Sequence, residues 1–378
     1  MKEHFIAQAD SIFNFVLKNK VDQSIDKMAG SQWAAPSGNK KMSKEEYLKL
    51  VRRVKYFIIL GMGFSVIVFI AIAIFGGIYR VADVMATAKL YIYAVAFVLV
   101  FAGYMIRFIK WDYYLKKLGI IVPFRKNMIV YLSLYSMNIT PGKIGRVVSA
   151  YTISKIAGKE TASVVPAVTM DIFTDFIGFA VFALIFGLMF QRFVVYILIA
   201  DMVLLLPFFF VTHDWMYNRL RGFLKRFKNS YFGQFSVYGD EYFSSQSSLN
   251  TPKTYILSLL VTLPADFLTA LALFVTLAAL GSSVPVSGSI FVYSSSQLFG
   301  MVSGLPGSIG VADGTLVAMI GGVFSLNSII SSSATIMTRI ATLWFGIATG
   351  TVFLFYSLKY WEGKQVRRIR KVGRRRHS

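Results

Sequence analysis

The residues that could bind a ligand or carry protons are ionisable side chains that interrupt long apolar runs. Asp171 and Asp175 stand four residues apart in the run that begins at Thr161, so a helix places both carboxylates on one face. Arg339 interrupts a later apolar run in the same way. An ionisable group deep in a membrane helix costs about 3 kcal/mol on insertion scales and usually marks a pathway or a paired site. These groups predict either a polar cavity within a membrane or buried ion pairs.

Two Pro-Gly segments carry further charges and resemble each other. Residues 140–145 read Thr-Pro-Gly-Lys-Ile-Gly and are followed by Arg146, while residues 305–310 read Leu-Pro-Gly-Ser-Ile-Gly and are followed by Asp313. Each segment ends an apolar run that is too short to cross a bilayer. Pro and Gly end helices, and backbone groups freed at membrane depth must face protein or a watery cavity.

We predict that the two segments and the charged runs line one cavity. Lys143, Arg146 and Arg339 would supply positive charge for an anionic headgroup such as phosphate, and the aspartates would balance it or relay protons. The alternative is that Arg339 pairs with an aspartate as a structural clamp between two repeats. The candidate cavity residues are Asn138, Thr140, Pro141, Gly142, Lys143, Arg146, Asp171, Asp175, Pro306, Gly307, Asp313 and Arg339.

No constellation for enzymatic chemistry stands out. The three histidines, His4, His213 and His377, lie outside the apolar runs, and the chain has no cysteine. We therefore expect no catalytic residue, no metal site and no cofactor, because neither a nucleophile with its base nor a metal-ligand cluster is present.

Long apolar blocks must position these residues. Of the 378 residues 56% are hydrophobic and only 15% are charged, against about 25% charged in a soluble domain. Blocks of about 20 apolar residues cross a membrane as helices, which predicts an all-α, polytopic membrane protein. Its six predicted full spans are Tyr56–Ile78, Ala88–Ile109, Thr161–Phe190, Phe193–Val211, Tyr255–Leu280 and Ser331–Tyr356.

The distribution of Lys and Arg predicts the orientation. With the N-terminus inside and both Pro-Gly segments re-entrant, all but five of the 40 Lys and Arg residues fall on cytoplasmic segments. The exceptions are Arg80, Lys89 and Arg192 outside and Arg107 and Arg339 at or within spans. The two hairpins then enter from opposite faces and form an inverted-topology repeat, as in many transporters.

The same pattern divides the chain into segments. Residues 1–55 form a cytoplasmic extension with an amphipathic helix, 56–358 form the membrane domain, and 359–378 form a basic cytoplasmic tail. Within the membrane domain, repeat one covers about 123–211, repeat two covers about 287–358, and 212–253 is a cytoplasmic loop. The net charge of +22 is explained by orientation and contact with anionic lipids, so no nucleic-acid partner is predicted.

These motifs resemble the lysylphosphatidylglycerol synthase transmembrane region, the flippase-like module of multiple peptide resistance factors. The resemblance covers about Tyr56–Tyr360 and rests on both Pro-Gly segments, the later Asp171 and Asp175, and Thr338-Arg339 followed by Leu-Trp. It implies two re-entrant hairpins that meet in the bilayer and carry an amphiphile's headgroup between leaflets. The family often has an acidic residue where this chain has Arg146, which favours an anionic cargo over an aminoacylated one.

The predicted function is therefore a flippase-like or scramblase-like lipid translocase in the cell membrane, with both termini cytoplasmic. Its cargo would be an anionic phospholipid or a polyprenyl-phosphate-linked lipid, and its partners are membrane lipids, with anionic headgroups on the cytoplasmic face. The alternatives are a proton-coupled transporter of a small anionic solute and a non-transporting membrane assembly factor. Lysyl transfer to lipid is not expected, and the sequence leaves a homo-oligomer open.

Overall fold

The computed structural model describes residues 63–189, 195, 199, 202, 241–242 and 244–357, and this part of the chain is helical without strands. In chain order the helices are α1 (Gly63–Gly76), α2 (Ile78–Ala86), α3 (Leu90–Lys117), α4 (Phe124–Ser133), α5 (Val147–Ala157), α6 (Thr161–Gly187), α7 (Pro252–Ala279), α8 (Val286–Val302), α9 (Val311–Phe324) and α10 (Ser328–Arg339). Tight 3-10 turns fill Leu134–Ile139, Pro141–Arg146 and Pro306–Ser308, and a π-helical stretch, Ile340–Trp344, carries α10 into helical residues 345–357.

Five of the described helical segments are long and apolar enough to cross a membrane, and the bent pair α1–α2 brings the number to six. The chain is therefore a multi-pass membrane protein, as its apolar blocks predict. The five segments are Leu90–Lys117, Thr161–Gly187, Pro252–Ala279, Pro306–Phe324 and Ser328–Ser357.

Two predicted boundaries need correction. The first span, predicted to end at Ile78, ends as α1 at Gly76, and α2 leaves it at 97° after Gly77, whose φ of 85° favours glycine. The second span, expected to end at Ile109, continues as α3 to Lys117. In this charged end Lys110 is buried against Asp175 of α6 and Thr262 of α7, whereas Lys116 is exposed.

Helices α3 and α7 form the most extensive contact in the fold and run antiparallel. At one end the Lys89 amide donates to the Ala279 carbonyl over 2.9 Å. At the other end the Lys117 ammonium donates to the Thr251 hydroxyl over 2.7 Å. Gly103 allows this approach, since a Cβ there would lie 3.1 Å from the Ala265 carbonyl oxygen.

Two helical hairpins flank this pair, each with a Pro-Gly motif at its tip. Helices α4 and α5 pack on each other around the first motif, and α8 and α9 do so around the second. The start of α8 and the end of α9 meet, because the Phe324 ring lies 2.6 Å from where a Cβ on Gly288 would sit. The second hairpin thus returns to the end of the fold from which it starts.

Several predicted segments lie outside the described residues. They are the extension 1–55, most of the span Phe193–Val211, most of the loop 212–253 and the tail 359–378.

Candidate functional site

The two Pro-Gly motifs meet inside the helix bundle. Ile139, directly before the first motif, and Ile309 of the second share a small apolar cluster with Leu343 and Ile347. Both motifs also adopt the same backbone conformation, with two consecutive residues of positive φ: Gly142 and Lys143 at 57° and 58°, and Gly307 and Ser308 at 60° and 56°. The likeness of the two sequences is therefore matched by a likeness of local structure.

A cavity of about 120 Å³ lies where the motifs meet, large enough for several water molecules. Its charged lining residues are Arg107, Lys143, Arg146, Arg339 and Asp175. The rest of its wall combines aromatic, polar, glycine and aliphatic residues: Tyr104, Tyr135, Asn138, Thr140, Gly142, Ile172, Phe176, Phe179, Thr269, Tyr293, Gln297, Met301, Gly304, Leu305, Gly307, Ser308, Thr342 and Leu343. Cations thus outnumber anions on the wall by four to one.

A chain of alternating charges lies behind the first motif. Arg107 of α3 pairs with Asp266 of α7 and, at 3.2 Å, with Asp175 of α6. The fully buried Lys110 ammonium lies 2.6 Å from the same Asp175 carboxylate oxygen and 3.3 Å from Asp171. Buried ions persist only when they are paired and hydrogen-bonded, and this network joins three helices.

Arg146 connects the first motif to that network. Its Nη1 donates to Asp171 Oδ2 over 2.9 Å, and its Nε and Nη2 donate to Asn138 Oδ1 over 3.0 and 2.8 Å. The guanidinium also lies 5.5 Å from the centre of the Tyr135 ring. All three of its nitrogens are therefore held in place by the protein.

Arg339 holds the second motif in a comparable way. Its Nε lies 2.6 Å from Asp313 Oδ1, and its Nη2 donates to the Gly307 carbonyl over 2.8 Å. The other oxygen of Asp313 accepts from the Gly310 amide over 2.7 Å, which caps α9. The predicted Arg–Asp pairing is present, although it lies within the second half of the fold and not between halves.

Each half of the fold contains one buried Arg–Asp ion pair, and the positions of the arginine and the aspartate are exchanged between the halves. In the first half the arginine, Arg146, follows the motif and the aspartate, Asp171, lies on the long helix. In the second half the aspartate, Asp313, follows the motif and the arginine, Arg339, lies on the long helix. In both cases the arginine lines the cavity while the aspartate is buried behind it.

The structure brings most of the candidate residues together. Eight of the twelve line the cavity: Asn138, Thr140, Gly142, Lys143, Arg146, Asp175, Gly307 and Arg339. Asp171 and Asp313 lie behind the wall as partners of the arginines, and Pro306 begins the second tight turn without lining the cavity. Pro141 begins the corresponding turn of the first motif. Their role in substrate handling stays a prediction.

Sequence reasoning missed several residues of the site. Lys110, which directly follows the predicted span Ala88–Ile109 and so is expected on the cytoplasmic side, is fully buried in the charge network, and Arg107 lines the cavity. Arg107 and Lys110 are three residues apart and Asp171 and Asp175 are four apart, and either spacing places a pair on one helix face, so this pattern was the available signal. The aromatic wall of Tyr104, Tyr135 and Tyr293 has no comparable signature.

Comparison with known families gives one clear finding. The model of the family described as Lysylphosphatidylglycerol synthase TM region matches residues 58–350. The match describes a transmembrane region, and no synthase domain accompanies it. No curated protein matches the chain.

Proposed function

The chain belongs to the lysylphosphatidylglycerol synthase TM region family, and on that premise we propose that it is a flippase-like or scramblase-like lipid translocase. Its cargo is a lipid with an anionic headgroup, an anionic phospholipid or a polyprenyl-phosphate-linked lipid. The headgroup crosses through the cavity where the two Pro-Gly motifs meet, while the acyl or prenyl chains stay in the bilayer.

The electropositive wall of the cavity is the observation that carries this proposal. Four cations and one aspartate line it, and the wall also offers amide and hydroxyl groups such as Asn138, Thr269 and Gln297. Guanidinium and ammonium groups are the side chains that bind phosphate best. A cationic, aminoacylated headgroup would meet like charges there.

The membrane arrangement that we propose has both hairpins re-entrant. The start of α8 and the end of α9 lie together, and the ends of α3 and α7 pair at opposite faces of the fold. With the basic segments inside, the first hairpin enters from the cytoplasm and the second from outside. Irregular backbone at the tips then faces the cavity, which satisfies the need to keep it from lipid.

A transporter of a small anionic solute is the second candidate, and the size of the cavity favours it. A volume of about 120 Å³ suits a small anion without further opening. The alternating chain of Asp and Lys or Arg groups behind the wall could couple such a solute to protons.

Reconstitution into liposomes separates the two candidates. The purified protein is tested for leaflet exchange of lipids with anionic, zwitterionic and cationic labelled headgroups, and separately for uptake of labelled inorganic phosphate. We expect faster exchange of anionic lipid than in protein-free vesicles, and no phosphate uptake. Phosphate uptake without lipid exchange would favour the solute transporter, and neither activity would contradict both candidates.

A further inference from the structure

We propose that Lys143 selects the charge of the cargo, and that the headgroup it accepts carries a single negative charge, as a phosphodiester does. This inference rests on the proposed function, because it names the class of headgroup that the same cavity accepts. The cations in and behind the cavity differ in whether the described residues supply their counter-charge.

Four of the five cations in and behind the cavity have a carboxylate partner. Arg107 pairs with Asp266 and Asp175, and Lys110 pairs with Asp175 and Asp171. Arg146 pairs with Asp171 and Arg339 with Asp313. These groups give the cavity its shape and potential, but their charge is balanced within the protein.

Lys143 differs from these four cations in its lack of a carboxylate partner among the described residues. Among the described residues no carboxylate lies within 4.0 Å of its ammonium group. Its side chain lines the cavity and is partly accessible, with the ammonium 5.9 Å from the centre of the Phe176 ring. A cation–π contact of this length is weak, so an anion can draw the ammonium away from the ring.

The backbone holds this ammonium at the tip of the motif. Lys143 has a φ of 58°, a conformation that L-residues other than Asn and Asp rarely adopt. A lysine is not required by this geometry, since Ser308 occupies the matching position of the second motif with a φ of 56°. The positive charge at 143 is therefore a separate feature, unrelated to making the turn.

Charge balance then sets the class of headgroup. Among the described residues, five cations face four carboxylates, Asp171, Asp175, Asp266 and Asp313, so one positive charge is left for an anion in the cavity to neutralise. A phosphodiester with one negative charge compensates it. A phosphomonoester adds a second negative charge that has no partner, and a zwitterionic headgroup brings another cation into an electropositive site.

The substitution Lys143→Asn tests this, because Asn removes the charge and tolerates positive φ. In proteoliposomes we expect exchange of phosphatidylglycerol to fall by about tenfold or more, the cost of one lost charged hydrogen bond. Exchange of phosphatidylcholine should change by less than about twofold, and Lys143→Arg should retain the preference for the anion. Equal losses on both lipids, or no loss on either, would overturn the proposal.

Two control variants separate charge selection from general damage. Lys116→Asn removes a positive charge from an exposed side chain at the end of α3, and Ser325→Asn changes another residue of positive φ away from the cavity. Both should keep the rate and headgroup preference of the unaltered protein. A shift in headgroup preference in either control would show that the effect is not specific to the charge at position 143.

A binding measurement keeps this inference distinct from the proposed function. Soluble dihexanoyl phosphatidylglycerol should raise the Tm of the detergent-solubilised protein, whereas dihexanoyl phosphatidylcholine should not. Lys143→Asn should lose that rise. If the protein moves no lipid but this pattern holds, the translocase proposal fails and the anion site stands. A rise that persists in Lys143→Asn would refute the role of Lys143.

Discussion

At the scale of single residues the site is a set of buried ion pairs whose partners cannot be exchanged independently. Removing one member of a buried pair costs about 3–5 kcal/mol, whereas replacing both can be nearly neutral. Arg339 and Asp313 are the cleanest case, since no other cation among the described residues pairs with Asp313. Mutation of an arginine here therefore tests stability as well as function.

The first prediction follows from that pair. Arg339→Gln should lower the free energy of unfolding by about 3 kcal/mol or more, because it leaves the fully buried Asp313 without a counter-charge. The double variant Arg339→Gln, Asp313→Asn should recover most of that loss, since Asn can still accept from the Gly310 amide. Thermal unfolding in detergent of the unaltered protein, the two single variants Arg339→Gln and Asp313→Asn and the double variant forms a double-mutant cycle. The cycle measures the coupling free energy between Arg339 and Asp313. Additive effects would contradict the pairing.

Residue-level prediction from sequence was good for charges inside apolar runs and poor at their ends. Asp171, Asp175 and Arg339 interrupt apolar blocks, so their burial could be anticipated. Lys110 follows an apolar block, which predicts a loop position, because the first charges after such a block usually mark the membrane surface. Its partners on α6 and α7, which are distant in sequence, show that it is buried.

At the scale of elements, small residues bring the charged helices together. Gly178 of α6 faces Asp266 of α7 so closely that a Cβ would lie 2.0 Å from Asp266 Oδ2 and 2.8 Å from Thr262. Gly103 plays the same role between α3 and α7. Close helix contacts at small residues are common in membrane proteins, and here they position the ions of the network.

The second prediction tests this contact. Gly178→Ala should destabilise the protein by about 2 kcal/mol, because the added methyl group displaces Asp266 from Arg107. Gly322→Ala is the matched control, since nothing lies within 4 Å of a Cβ at that helical position. There the higher helix propensity of Ala should leave stability unchanged or slightly raised. Equal thermal shifts for the two variants would contradict the close approach.

The sequence located the breaks in the hairpins but not their geometry. Pro141-Gly142 and Pro306-Gly307 end helices because Pro cannot donate and Gly tolerates unusual dihedrals. The positive φ of Lys143 and Ser308 had no such signal, because these residue types rarely adopt it. The π-helical stretch after Arg339, whose Thr342 carbonyl accepts from Tyr104, likewise depends on tertiary packing.

At the scale of the whole molecule the proposed arrangement makes both ends of each hairpin emerge on one side of the membrane. For the first hairpin these ends are the turns before α4 and after α5, and for the second they are the turns before α8 and after α9. The turn between α2 and α3 lies on the same side as the ends of the second hairpin. Orientation stays a prediction from charge.

The third prediction uses the absence of native cysteine. Single cysteines at the exposed positions Thr87, Ser283 and Ser325 should react with a membrane-impermeant maleimide in intact cells. Cysteines at the exposed positions Ile121 and Lys159 should react only after permeabilisation. Labelling of Ser283→Cys and Ser325→Cys from opposite sides would show that the second hairpin crosses the membrane fully.

The most direct test of the central claim is to block the cavity within a working protein. Ser308→Cys places a unique thiol on the cavity wall and Ser325→Cys places one outside it. Both proteins are reconstituted, and leaflet exchange of an anionic headgroup-labelled lipid is measured before and after reaction with a bulky thiol reagent. We predict that the reagent abolishes exchange by Ser308→Cys and leaves Ser325→Cys unchanged. Undiminished exchange by fully labelled Ser308→Cys would contradict passage through this cavity.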